Sequence, residues 1–153
     1  MQSFHETLCK SLSILERTDV DQLSPLNLAF IGDTVFDLAV RTMLTQTDRS
    51  SVHVLHVESA KRVRASAQAE AARALFPQLT EEEKRIYRRA RNAKPGSIPK
   101  NASLQDYAAA TAFEAVIGYL YLTNQEERML QCIQEAMRAQ TVAPKMSVKP
   151  FKK

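Results

Sequence analysis

Two carboxylates stand in surroundings that suit a charge poorly. Asp33 lies in the middle of LNLAFIGDTVFDLAVR, residues 26–41, and Glu114 in the middle of LQDYAAATAFEAVIGYLYL, residues 104–122. Both stretches are apolar almost all round a helical projection, the pattern of a buried helix. An ionised acid taken out of water costs several kcal/mol unless it is paired or holds a metal. Gly32 directly precedes Asp33, and Gly118 follows Glu114 by one turn on the stripe Asp106, Ala110, Glu114, Gly118. Glycine inside a helix costs roughly 1 kcal/mol relative to alanine, so it points to close approach of a neighbour. If the two helices pack together, both carboxylates face one hard cation. Mg²⁺ prefers oxygen ligands and keeps several waters, so two carboxylates and a substrate phosphate suffice. The plainer alternative is an ion pair with an arginine such as Arg41. Asp37, one turn beyond Asp33, reads as a supporting carboxylate or as a half-exposed helix residue.

The second feature is cationic. KRIYRRARNAKPGSIPK, residues 84–100, has seven Lys/Arg and no acid, and runs from a helix end into a Pro/Gly loop. Cations offset the dipole at a helix C-terminus, but five between Lys84 and Arg91 exceed that need. In a chain of net charge only +4, such a concentration is the footprint of a nucleic-acid backbone contact. Arg88, Arg91, Asn92, Lys94, Lys100 and Asn101 are the candidates for phosphate and 2′-hydroxyl contacts of the kind A-form RNA offers. A solvated charged face is the alternative for any one of them.

These residues have to be positioned by helices, because strand signals are scarce. The spacing of Phe4, Leu8, Leu12 and Leu15 predicts an amphipathic helix over 3–17. Ser24 as hydroxyl N-cap and Pro25 at the first helical position open the central helix, which runs to about Gln46. A helical pattern resumes from Val52 to about Leu75, with a break expected near His56. Thr80 to Glu83 forms a capping box that starts a helix to about Ala93. Residues 92–103 are a loop, Leu104–Leu122 the second apolar helix, and Asn124 the cap of a last helix to about Gln140. Residues 142–153 form a basic tail. The fold class is all-α, one domain over 1–153 with its core over about 23–141.

Composition closes other routes. At 153 residues and 44% apolar content the chain buries about 68–70% of its unfolded surface. It lacks an apolar run of membrane-spanning length and a signal-peptide core. Cys9 and Cys132 stand alone, which fits a reducing cytoplasm and neither a disulfide framework nor a zinc site. His53 and His56, three apart, read as surface or partly buried histidines rather than ligands. Three glycines in all leave no phosphate-binding glycine loop.

LAFIGDTVFDLAVR resembles the ribonuclease III signature. RRARNAKPGSIPKN followed by YAAATAFEAVIGYLYL resembles the Mini-ribonuclease III branch in particular, over about residues 23–133. The resemblance implies a homodimeric, all-helical endonuclease that cleaves double-stranded RNA with Mg²⁺ and leaves 5′-phosphates and a short 3′ overhang. It implies catalytic and metal-binding roles for Asp33 and Glu114, and a place at the dimer interface for Phe30, with a core position inside one protomer as the alternative. Ala29 and Thr111 stand where full-length ribonuclease III has further acids, a reduction that the Mini branch shares. The chain is expected to lack a double-stranded-RNA-binding domain. The implied substrate is the precursor of 23S ribosomal RNA, cut on both sides of one stem. A ribosomal protein that presents the RNA stays open as a partner. Two other classes remain. A non-catalytic RNA-binding or ribosome-assembly module explains the basic patch but not two buried acids. An all-α nucleotide pyrophosphohydrolase calls for a denser set of acids at helical spacing.

Overall fold

The computed structural model describes residues 1–94, 96–98, 100 and 103–140. Seven α-helices, α1 Phe4–Ser11, α2 Pro25–Thr47, α3 Val52–Val63, α4 Ala65–Leu75, α5 Glu81–Arg91, α6 Leu104–Leu122 and α7 Glu126–Ala139, account for most of it. Short 3₁₀ turns lie at Val20–Gln22 and Phe76–Gln78, and no strand occurs among the described residues. The all-α expectation therefore holds. No helix among the described residues is long and apolar enough to cross a membrane.

α6 is the axis. Ten of its nineteen residues are buried, and α2, α4, α5 and α7 all pack on it, α2 most extensively. For α6 the apolar circumference means burial on every side. For α2 it does not. Its buried residues Leu28, Gly32, Phe36, Val40 and Leu44 make one face, whereas Phe30 is 80% and Leu38 58% exposed. Only α6 and neighbouring helices cover α2, and one side is left to solvent. Asp33 lies on that open side, so the expectation of a buried Asp33 is corrected.

Glycine sets the α2–α6 crossing. A Cβ on Gly32 would run into the backbone carbonyl of Glu114, with its carbon at 2.7 Å, and one on Gly118 into the carbonyl of Leu28, with its carbon at 2.9 Å. Backbone rests on backbone at both points, as expected where small residues bring helices close. Phe36 and Phe113 meet edge-to-face beside this crossing, with ring centroids 5.1 Å apart.

Several ends differ from expectation. α1 stops at Ser11, short of Leu12 and Leu15; these two and Phe4 face solvent, while His5 and Cys9 are buried. The cause is distant: Nδ1 of His5 donates 2.7 Å to Oδ1 of Asn124, and the Ser3 hydroxyl donates 2.9 Å to the same oxygen. Asn124 has a left-handed φ of 61° and anchors α1 instead of capping α7, whose N-cap Gln125 makes no side-chain cap. Ser24 also makes no side-chain cap, although Pro25 opens α2 as expected. The segment 52–75 breaks at Arg64, which is extended at φ −64° and ψ 153°, and not near His56. Nε2 of Gln140 donates 2.8 Å to the Arg62 carbonyl, and Nε2 of Gln68 donates 2.9 Å to that of Val63. These amides take up carbonyls that a continuing helix would use. Thr80 and Glu83 make the expected capping box. His53 and His56 are exposed, and both cysteines are free and buried. The 142–153 tail lies outside the described residues.

Candidate active site

α2, the start of α4 and α6 enclose a cleft of about 920 Å³ that contains both Asp33 and Glu114. The glycine crossing brings them there, since Gly32 touches the Glu114 backbone. Glu114 is half-buried. Burial first, then a hydrogen bond to Asp33 and the negative charge of Asp33, push its carboxyl up to about 9. Burial and the neighbouring Asp33 thus disfavour the charged form of Glu114. Two adjacent acids with no cation beside them mark a site short of positive charge.

The arginine alternative fails. Nε of Arg41 donates 3.0 Å to Asp37, which is half-exposed, and Arg73 pairs with Asp106 at 2.8 Å. No cationic side chain among the described residues pairs with Asp33 or Glu114. Ala29 and Thr111 also line the cleft, and the Thr111 hydroxyl donates 2.9 Å to the Tyr107 carbonyl. Among the described residues no cluster of three or more His, Cys, Asp or Glu side chains forms a ligand cage. The inventory is therefore one exposed acid, Asp33, and one half-buried acid, Glu114, with Asp106 paired to Arg73 at the rim. Two oxygen donors side by side in an open cleft suit a hard divalent ion that keeps its waters.

The basic segment divides. Lys84 and Arg85 pair with Glu81 and Glu82 on the same helix at 3.9 and 2.6 Å. Arg89 donates 2.7 Å to the Asp21 carbonyl and 3.3 Å to that of Leu23, bracing the entry to α2. Arg88 is exposed, its guanidinium 5.6 Å from the Phe76 ring centroid. Arg91 and Lys94 line a recess of about 250 Å³ that shares Leu26, Tyr107 and Thr111 with the main cleft. Asn92, at the end of α5, and Lys100 are exposed; Asn101 lies outside the described residues. The free positive charge is narrower than the composition of residues 84–100 suggests, and it borders the acids.

Residues 26–125 match the Ribonuclease III domain. The chain belongs to the ribonuclease III family. It is 45% identical over 120 residues to Mini-ribonuclease 3 of Thermoanaerobacter sp. strain X514, covering 78% of this chain and 84% of the relative. It is 43% identical to Mini-ribonuclease 3 of Clostridium tetani over 74% of this chain and 76% of that one. A crystal structure of a Fusobacterium nucleatum protein superposes with a TM-score of 0.73 at 31% identity, covering 80% of this chain and 98% of that one. As a member of the ribonuclease III family the chain is an endoribonuclease, and the resemblance read from its motifs is correct. Arg64, Ser66, Gln68 and Tyr107, which also line the cleft, escaped the sequence reading. Nothing local marks the α3–α4 break, because neither proline nor glycine stands at it.

Proposed function

We propose that the protein is a Mg²⁺-dependent endoribonuclease of double-stranded RNA that matures both ends of the 23S ribosomal RNA precursor in the cytoplasm. The observation that carries the reading is that one cleft holds both Asp33 and Glu114, with no cationic side chain among the described residues paired to either. These two residues would hold the ion. When bound, it supplies a polarised water and charge neutralisation for phosphodiester hydrolysis. The chain's own part is to fix both carboxylates through the α2–α6 crossing and to lay the duplex beside them. Arg91 and Lys94, at the recess next to the cleft, meet the backbone of one strand, with Arg88, Asn92, Lys100 and Asn101 as further contacts. A-form RNA presents mainly its shallow groove, so recognition is by shape and charge. The partner subunit is a second copy of the chain, packed on the open face of α2 around Phe30. The relatives named Mini-ribonuclease 3 support the substrate class.

Incubation with a long RNA duplex, with and without Mg²⁺, tests the reading by end-group analysis. Fragments bearing 5′-phosphates are expected only with the ion. Cleavage in chelator, or products with cyclic phosphates, refutes it. Mapping of the ends on a 23S precursor transcript is expected to place two cuts within one stem.

A further inference from the structure

Leu26, Tyr107 and Thr111 form the partition between the cleft of Asp33 and Glu114 and the recess of Arg91 and Lys94, for they line both. Leu26 is apolar. The Thr111 hydroxyl already donates 2.9 Å to the Tyr107 carbonyl. That leaves the hydroxyl of Tyr107, which makes no hydrogen bond among the described residues. Tyr107 is half-buried, and such a tyrosine usually gives its O–H a partner.

The main chain beneath it is fixed. Its N–H donates 2.9 Å to the Ser103 carbonyl, and Ser103 caps α6 by accepting from the Asp106 N–H. Tyr107, Thr111 and Glu114 follow at i, i+4 and i+7 and so share one face of α6. With about 1.5 Å of rise per residue, Tyr107 lies about 10 Å along the axis from Glu114. Arg91 and Lys94, beyond it in the recess, are exposed, and no carboxylate among the described residues pairs with either.

Charge explains why a hydroxyl suits this position. A Lys or Arg here would pair with the acids, as Arg73 pairs with Asp106 at 2.8 Å. A hydroxyl donates to a phosphate oxygen and leaves the carboxylates unpaired. We propose that Tyr107 is a substrate contact: its hydroxyl donates to a phosphate oxygen of the strand to be cut, between the stretch met by Arg91 and Lys94 and the bond at Asp33 and Glu114. The contact rests on the duplex-RNA reading above and adds an uncharged grip to it.

Fluorescence anisotropy of labelled RNA duplexes in chelator tests it, with a salt series and with single methylphosphonates scanned along the strand, beside cleavage in Mg²⁺. Tyr107→Phe keeps the ring and removes only the hydroxyl. It is expected to weaken binding about tenfold, the scale of a hydrogen bond to a charged group. The slope of log affinity against log salt is expected to stay the same, because no charge is lost, whereas Arg91→Ala lowers it by about one. One methylphosphonate near the cut is expected to weaken wild-type binding and to leave Tyr107→Phe unaffected. A packing defect weakens binding at no particular phosphate, so this position-specific difference separates contact from structure. If wild type binds and cleaves duplex RNA but Tyr107→Phe keeps its affinity, or both proteins respond alike at every phosphate, the contact is overturned and the nuclease reading stands. If wild type neither binds nor cleaves the duplex, both readings fall.

Discussion

At the scale of residues, Asp33 and Glu114 divide the work between exposure and burial. Asp33 stands open to solvent, while burial and this neighbour disfavour charge on Glu114. Asp33→Asn is expected to lower kcat by about 10²–10³-fold, the scale of a main electrostatic contributor, with duplex affinity in chelator unchanged. A variant that turns over at near-normal rate removes Asp33 from the chemistry. Glu114 also gives a pH signature. Its folded-state value of about 9 lies above the ordinary 4.5, so the folded state keeps a proton that the unfolded chain releases. Between those values the metal-free protein loses stability as pH rises, by at most about 1.4 kcal/mol per pH unit. Thermal melts in chelator are expected to show this fall, and Glu114→Gln to flatten it. Divalent ion displaces the proton, so its affinity is expected to rise with pH over the same window.

At the scale of elements, two junctions set the frame. The α2–α6 crossing admits no side chain, and Gly118→Ala forces a Cβ into the Leu28 carbonyl. Overpacking of this kind costs roughly 1–3 kcal/mol or more, measurable as a lower denaturation midpoint and, through the shifted helices, as lost activity. The other junction is Glu83, whose side chain is 2% exposed, with Arg128 donating to it at 2.8 Å. Burial pushes this carboxyl up, but the Arg128 hydrogen bonds and the Thr80 backbone N–H outweigh it and hold the value below the ordinary one. Its contribution to stability is therefore present above about pH 4.5 and is lost as pH falls through the lower folded value. Removal of Arg128 by mutation to Ala leaves a buried charge unpaired, a loss of about 3 kcal/mol, read by urea denaturation. Local signals made α6, the Thr80 capping box, Pro25 and the Pro/Gly loop legible. The breaks that long-range bonds impose were not. Gln140 reaches back 78 residues to Arg62, and Asn124 reaches 119 residues to His5.

At the scale of the whole molecule, a helical projection tells how apolar a helix is, not which side is covered. That is why α2 looked buried, although its open side carries Phe30, Leu38 and Asp33. The motif pair was nonetheless sufficient to find both acids, because glycine beside each carboxylate is a local mark of a close crossing. Phe30 is 80% exposed, and in the dimer proposed here it is covered by the second copy. Light scattering is expected to give about twice the chain mass of 17.2 kDa, with Phe30→Glu reduced to a monomer. A wild-type monomer at micromolar concentration removes the shared face.

Where Gly32 meets the Glu114 carbonyl and Gly118 meets that of Leu28, no rotamer stands between the two main chains to act as a cushion. The gap between the acids then has no soft mode of its own. On heating, activity and helical content are expected to vanish together in one transition, with no inactive but still folded form preceding it.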